Sequence, residues 1–536
     1  MALCLTVLLL PMQAAFAAEK DAQTTDIEEL GAASAEDASA TDIGEAAFSD
    51  AESLAPLADD SIDDQGLQAQ LAAFSEYVAS SQEVSAQSLD LSIEPQAAPN
   101  WKRLQGAGRY ETMQAIAKVS HSATSDVVIL ATGSSFPDAL AASSLCGLYS
   151  APLLLTEPGK LSTQTNAEIT RLKAKRVVIV GGTGSVSANI ETTLKAKLGN
   201  QNVTRLAGSG RYETAVKIYE HGKAQAAWGS AAIIVTANSF PDALSIAPVA
   251  HTARFPIFLY DTVNKRFTPE TLSAIKAGGF NKFLLVGGTG SLPDTIKSAI
   301  GTNKTYERIA GADRYKTSAA IAAYAVTNNL LDFDNIAIAT GRNFPDALSG
   351  AALCGTYKSV LLLADNTVEG RFALYHIAGL GCLYNMINTG YLLGGTGTIG
   401  TALENTTQNL GTHASYENQV LTLVNQERAK AGVAPLAANP FLVVATDIRA
   451  DEISRLFSHT RRDGSRWSTV LDYFTYRCSA AGENIAAGYQ TPAQVVAAWM
   501  GSQGHRDNIL NPTFTKLGVG YVKDGSVDYW VQLFSS

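Results

Sequence analysis

One ten-residue phrase occurs three times in this chain. Arg103-Leu-Gln-Gly-Ala-Gly-Arg109-Tyr-Glu-Thr returns as Arg205-Leu-Ala-Gly-Ser-Gly-Arg211-Tyr-Glu-Thr and as Arg308-Ile-Ala-Gly-Ala-Asp-Arg314-Tyr-Lys-Thr. Each copy is followed by an apolar run that ends in Phe-Pro-Asp-Ala-Leu, at Phe136 to Leu140, Phe240 to Leu244 and Phe344 to Leu348. A third marker closes each copy: Val177-Val-Ile-Val-Gly-Gly-Thr-Gly184, Phe283-Leu-Leu-Val-Gly-Gly-Thr-Gly290 and Tyr391-Leu-Leu-Gly-Gly-Thr-Gly397. A period a little over a hundred residues is longer than solenoid repeats of about 20–50 and large enough for each copy to hold its own core.

Within a copy, short runs apolar throughout (Val127 to Leu130, Pro152 to Leu155, Val177 to Val180) alternate with helical stretches such as Tyr110 to Val119. Strands that are apolar on both faces and separated by helices form a parallel sheet covered on both sides. The fold class is therefore α/β, with three Rossmann-like doubly wound repeats. The repeats span 100–202, 203–305 and 306–410.

The glycine turn after a strand invites a nucleotide reading, because backbone N–H groups at a helix N-terminus favour phosphate. No Lys follows as in Gly-x-x-x-x-Gly-Lys-Ser/Thr, and the three copies do not share a Gly-x-Gly-x-x-Gly spacing, which only the third has, at Gly395 to Gly400, so a tight turn or a contact to a polymer phosphate fits better. Arg109, Arg211 and Arg314 have two readings: each grips a phosphate or uronate bidentately, or each braces its unit by pairing with Asp138, Asp242 or Asp346.

Charge is unevenly distributed. Residues 1–100 carry 19 acids against one Lys, 101–410 carry 28 Lys and Arg against 20 acids, and 411–536 carry 11 of each, so a net charge of −10 conceals a mildly basic middle. Such a middle suits a polyanion. At the start, an apolar run from Leu3 to Leu10, then Pro11 and Ala15-Phe16-Ala17, reads as a secretory signal over 1–17, although no basic residue precedes the run. Residues 18–99, rich in Ala, Ser, Asp and Glu, read as an acidic disordered leader with a short helix around Leu67 to Ser80. No later run is long and apolar enough for a transmembrane anchor. Cys146, Cys354, Cys382 and Cys478 are too few for a disulfide scaffold and read as free thiols.

These three copies resemble the type 2 cell-wall-binding repeat of clostridial and actinobacterial surface proteins. The resemblance implies a triangular body with pseudo-three-fold packing that adheres non-covalently to an anionic cell-wall polymer, teichoic-acid-like or a surface polysaccharide, rather than to nucleic acid. It places the protein outside a Gram-positive cell, on the wall.

After about Gly411 the pattern changes to an α+β unit over 411–536. Val424-Asn-Gln-Glu-Arg, Phe457-Ser-His-Thr460, Gly482-Glu-Asn-Ile-Ala486, Gly504-His-Arg-Asp-Asn-Ile-Leu510 and Gly518-Val-Gly-Tyr521 resemble the CAP superfamily of cysteine-rich secretory proteins, venom antigens and plant pathogenesis-related proteins. The resemblance implies an α-β-α sandwich with a shallow cleft holding His459, His505 and Glu483, where the two histidines take Zn²⁺ or another divalent ion. The family's second glutamate falls on Ser502 here, and Glu452 is a stand-in. In the alternative, the histidines merely hydrogen-bond Glu483 and stabilise loops. Ser458, Thr460 and Ser502 near a histidine suggest a hydrolytic triad, but no Gly-x-Ser-x-Gly elbow accompanies them.

The leading function is thus a secreted surface protein that holds to the wall through its repeats and displays a CAP domain for a ligand, metal or partner, rather than a classical enzyme. Its alternatives are a metal-assisted surface hydrolase of peptides or esters, using the same His/Glu cleft, and a structural surface-layer component.

Overall fold

The computed structural model describes residues 66–67, 69–74, 77 and 99–536, apart from 226–227, 368, 384–385 and 475. The signal segment and almost all of the leader lie outside these residues. The described part of the leader, at 66–77, is helical and buries Leu67, Leu71 and Phe74, which recur at the helical spacing of four and three. Phe74 packs on Phe333 with ring centroids 5.4 Å apart.

The repeats contribute twelve strands: β1 (Asn100–Leu104), β2 (Val127–Thr132), β3 (Leu153–Thr156), β4 (Arg176–Val180), β5 (Val203–Leu206), β6 (Ala231–Thr236), β7 (Ile257–Tyr260), β8 (Lys282–Val286), β9 (Thr305–Ile309), β10 (Asp332–Thr340), β11 (Ser359–Ala364) and β12 (Thr389–Leu393). They form three parallel sheets, ordered β3-β2-β4-β5, β7-β6-β8-β9 and β11-β10-β12-β1. The fourth strand of each sheet comes from the start of the next sequence repeat. The exchange is cyclic, for β1 at the beginning of the first repeat completes the sheet of the third, with Leu104 opposite Leu393. The sequence period and the structural unit are therefore offset by one strand.

Every residue of the central strands β2 and β6 is buried, as sheets covered by helices on both faces require. The Phe-Pro-Asp segments begin helices at Pro137–Ala141, Pro241–Ala253 and Pro345–Thr356, with Pro in the first turn, where its missing N–H costs nothing. Their leading phenylalanines form the pseudo-three-fold axis. Phe136, Phe240 and Phe344 meet edge to face with centroids 5.7, 5.8 and 5.9 Å apart, a geometry that suits the aromatic quadrupole. Further along, Gly147 and Gly355 leave room for His251, which stands at the corresponding place in the second repeat. Cys146, Cys354, Cys382 and Cys478 are free thiols, the first three buried.

A 30-residue helix, Thr401–Lys430, ends the third repeat and begins the C-terminal domain without a break. The boundary read at 411 thus falls inside one helix rather than in a linker. The domain adds β13 (Ala437–Ala438), the helix Pro440–Arg455, β14 (Ala481–Ala487), the helices Pro492–Gly501 and Gln503–Ile509, β15 (Lys516–Asp524) and β16 (Val527–Ser535), in a sheet ordered β13-β15-β16-β14. The Gly518-Val-Gly motif has a packing cause, because a Cβ at Gly518 or Gly520 would strike the backbone of Leu442 or Thr446 on the helix laid across β15. Arg428, fully buried, donates to the carbonyls of Ala434, Ile509, Asn511 and Phe514 and so ties the first helix to the loop before β15.

Candidate functional site

Two sets of polar residues stand out. The first lies at the carboxyl ends of the parallel strands, where open α/β sheets place their ligands. In each repeat the first glycine of Gly-Gly-Thr-Gly has a positive φ: 106° at Gly181, 121° at Gly287 and 113° at Gly394. A Cβ at these positions would lie 2.5, 2.9 and 2.5 Å from the Oδ2 of Asp138, Asp242 and Asp346. The motif is thus a turn that only glycine makes, fitted around the aspartate of Phe-Pro-Asp.

Burial pushes all three aspartates above the ordinary carboxylate range, Asp242 to about 7. Each is opposed by the arginine of the next repeat rather than its own: Asp138 by Arg211, Asp242 by Arg314 and Asp346 by Arg109. The arginines are exposed. Each spends one N–H on the carbonyl at the end of its own second strand, with Arg109 on Gly133 at 2.5 Å, Arg211 on Ala237 at 2.8 Å and Arg314 on Gly341 at 2.6 Å. The Arg314 guanidinium also lies over the Phe240 ring, 5.9 Å from its centroid.

The bracing role belongs to a different arginine, which the sequence reading passed over. Arg103, Arg205 and Arg308 open the repeated phrase and donate to the carbonyls of Gly394, Gly181 and Gly287 at 2.8, 2.7 and 2.7 Å. Arg103 and Arg205 also pair with Glu404 and Glu191, and Arg308 with Asp294. Their recurrence at the first position of every copy was the available signal.

Between the first and second repeats lies an open cavity of about 330 Å³. Asp138 and Arg211 line it, with the hydroxyls of Ser135, Ser185 and Thr214 and the backbone of Gly208 to Gly210. The helix Arg211–Lys223 begins at its wall with no side-chain cap on Gly210, so its first N–H groups keep their capacity to donate.

The second set lies in the C-terminal domain. Glu483 sits on β14 with its side chain fully buried. Its Oε2 lies 2.6 Å from His459 Nδ1, and its Oε1 accepts from Arg449 Nε at 2.8 Å. A carboxylate only accepts, so Nδ1 of His459 carries a proton and donates it to Glu483. Arg449, also buried, further donates to Glu452 and to the carbonyl of Ser458, the residue before His459. Glu452 is in turn held by Arg461. It is therefore part of the frame and not a partner of the histidines.

His505 lies in the first turn of Gln503–Ile509, and its carbonyl accepts from Asn484 Nδ2 at 3.1 Å. Asn484 joins Gln532 and Asn508 in a buried amide chain behind Glu483. Burial, then the electrostatic influence of His459, lowers the His505 imidazole below its usual range. The structure thus brings His459, Glu483 and His505 into one neighbourhood and adds Arg449, which was legible only as an Arg-x-x-Glu pair on a helix.

A catalytic zinc takes three protein ligands. Here both oxygens of Glu483 and both of Glu452 are engaged by arginine or imidazole, and among the described residues no three His, Cys, Asp or Glu side chains gather around a point that would hold a metal. Two imidazoles alone do not fit a three-ligand centre.

Comparison with known proteins agrees with both halves. The cell wall binding domain 2 family matches residues 103–191, 205–297 and 308–404, and the cysteine-rich secretory protein family matches 421–534. The N-acetylmuramoyl-L-alanine amidase LytC of Bacillus subtilis is 35% identical over 264 residues, 49% of this chain and 50% of that protein. The uncharacterized protein YkwD of the same organism is 41% identical over 123 residues, 23% of this chain and 47% of its own. The chain therefore spans about half the length of these relatives. Among solved structures, Cwp8 from Clostridium difficile shares the fold with a TM-score of 0.50 at 23% identity, covering 58% of this chain and 52% of that one. No described helix is long and apolar enough to cross a membrane. The three wall-binding matches together span more than half of the chain, which thus belongs to the cell wall binding domain 2 family and is a wall-associated surface protein carrying a CAP domain.

Proposed function

We propose that the body formed by the repeats binds an anionic wall polymer, teichoic-acid-like or a surface polysaccharide, in the grooves where one repeat meets the next. The observation that carries this reading is the cavity beside Arg211, where a guanidinium, serine hydroxyls and uncapped helix N–H groups face one open space. A phosphate or uronate there would take two N–H groups of the arginine, and sugar hydroxyls would meet the serines. Arg109 and Arg314 occupy the same place in the other two grooves. An exported protein held in this way keeps its CAP domain on the cell surface.

In the CAP domain, we read His459 as the ligand-facing group. Glu483 and Arg449 fix its ring, and Nε2 of the neutral ring accepts a proton or hydrogen bond from a bound ligand, with His505 as a second acceptor or donor. Hydrolysis is the second reading, since a carboxylate-oriented imidazole is the usual base for it. No step is assigned to a metal.

The test is sedimentation of the full protein with purified walls across a salt series. Contacts to phosphate weaken as salt screens them, so bound protein should fall steadily between about 0.1 and 1 M salt, and binding that is insensitive to salt would overturn the reading.

A further inference from the structure

We propose that Glu417 and Asp447 form a proton-dependent latch that holds the CAP domain against the third repeat and loosens as the pH rises above neutral. The two carboxyls lie on different helices of the CAP domain, Glu417 on Thr401–Lys430 and Asp447 on Pro440–Arg455, and both are buried. They hydrogen-bond to each other, which requires that one of them carry a proton. Glu417 Oε1 and Asp447 Oδ1 are buried without any hydrogen-bond partner among the described residues. A second negative charge here would have nothing to receive it.

The place matters as much as the pair. Against these helices packs the segment 371–383 of the third repeat, including a π-helix at Leu374–Gly379, a rare form that often occurs at functional sites. Arg371 of that segment pairs with Asp451, one turn after Asp447, at 3.2 Å. His376 meets Phe441 edge to face with centroids 5.5 Å apart. A Cβ at Gly379 would stand 3.9 Å from Asp447 Oδ2. The pair therefore sits on the seam between wall-binding body and CAP domain.

The other titratable groups on this seam are silent near neutral pH. Burial lowers His413, one turn before Glu417, to about 4 and His376 to about 3. Burial, then the charge of Glu417, raises the Cys382 thiol to about 12, and Tyr375, facing Arg371, Asp451 and Asp447, is raised as well. Arg371 stays charged, and its pairing with Asp451 leaves it committed. Burial raises both latch carboxyls above the ordinary range, Asp447 to about 7; a coupled pair gives up its protons in two steps, so the shared proton survives the first, from Asp447, and the latch opens only with the second, from Glu417.

For acids raised on folding, stability is fully present below the ordinary carboxylate range and is lost as pH rises through the raised value. Above the second step the closed seam holds two buried charges of one sign, and opening it to water relieves them. The CAP domain would then be held to the wall body by the continuous helix while its second helix comes free.

Hydrogen exchange on the full protein, followed from pH 6 upward and corrected for the base-catalysed chemical rate, tests this. Amides of 372–383 and 441–451 should lose protection by about tenfold per pH unit above the second titration, while β6 and β8 hold theirs. The double variant Glu417→Gln, Asp447→Asn keeps the hydrogen bond without a proton to lose, so its seam should be equally protected across the series. In the wild type, the infrared band of a protonated carboxyl should be present at pH 6 and disappear over the same range in which seam protection falls, a readout that stands even if the variant fails to fold. Seam protection that does not change with pH, or a carboxyl band absent at pH 6, would overturn the proposal.

Discussion

Arg103 Nη1 donates to the carbonyl oxygen of Gly394 at 2.8 Å across 291 residues of chain. With β1 lying beside β12, this contact makes the first strand of the repeat region the last strand of its final sheet. The three repeats therefore form a closed ring, in which each sheet is unfinished until its neighbour has folded.

Two arginines six residues apart should behave in opposite ways. Arg103→Ala strands the carbonyls of Gly394 and Ile399 and leaves Glu404 without its cation. We expect a loss of about 2–3 kcal/mol in denaturant unfolding. Exposed Arg109, which gives one hydrogen bond to Gly133, should cost no more than about 1 kcal/mol on the same measurement. A larger loss for Arg109→Ala than for Arg103→Ala would reverse the assignment.

Gly181, Gly287 and Gly394 should each reject alanine. The positive φ and the carboxylate within 3 Å of the new Cβ act together, and a cost of about 1–3 kcal/mol per site follows. Gly182, with open space around its Cβ, is the control and should lose much less in the same thermal or denaturant scan.

Asp242 supplies a pH signature in the wall-binding body. Its carboxyl is raised by burial to about 7 despite Arg314. Stability from this group is therefore present below the ordinary carboxylate range and declines as pH climbs to about 7. Asp242→Asn should flatten that part of the stability profile. An unchanged slope between pH 4 and 7 would show that the group titrates normally.

Arg449 should be the most costly single change in the CAP domain. Its removal leaves the buried Glu483 without its cation, while Glu452 keeps Arg461, a defect of about 3–5 kcal/mol. His459→Ala, at the half-exposed end of the same chain of contacts, should leave the fold intact and alter only what the cleft binds. Calorimetry of the two variants separates frame from function.

Much of this was legible in the sequence because repetition and period are local signals. The runs Val127 to Leu130 and Val177 to Val180 are apolar on both faces, and they are the buried strands of a parallel sheet. His459, Glu483 and His505 stood out because they fall within the short motifs that resemble the CAP superfamily. What could not be read was pairing over distance. Nothing local says that Asn100–Leu104 belongs to a sheet whose next strand begins at Thr389. The same holds for Arg109, whose counterpart is Asp346 and not Asp138. Nor does any residue near Gly411 signal a linker or its absence, because both the end of the third repeat and the start of the CAP domain are helical and in phase.

Wall binding by this protein depends on whether the exposed Arg109, Arg211 and Arg314 hold the polymer. The decisive measurement is the affinity of the full protein for purified cell walls when Arg109, Arg211 and Arg314 are all changed to glutamate, beside His459→Ala. Reversing three exposed charges in the grooves should lower affinity by more than about tenfold, or 1.4 kcal/mol, while folding and the binding of His459→Ala to walls remain those of the wild type. Wild-type affinity in a correctly folded triple variant would contradict the account.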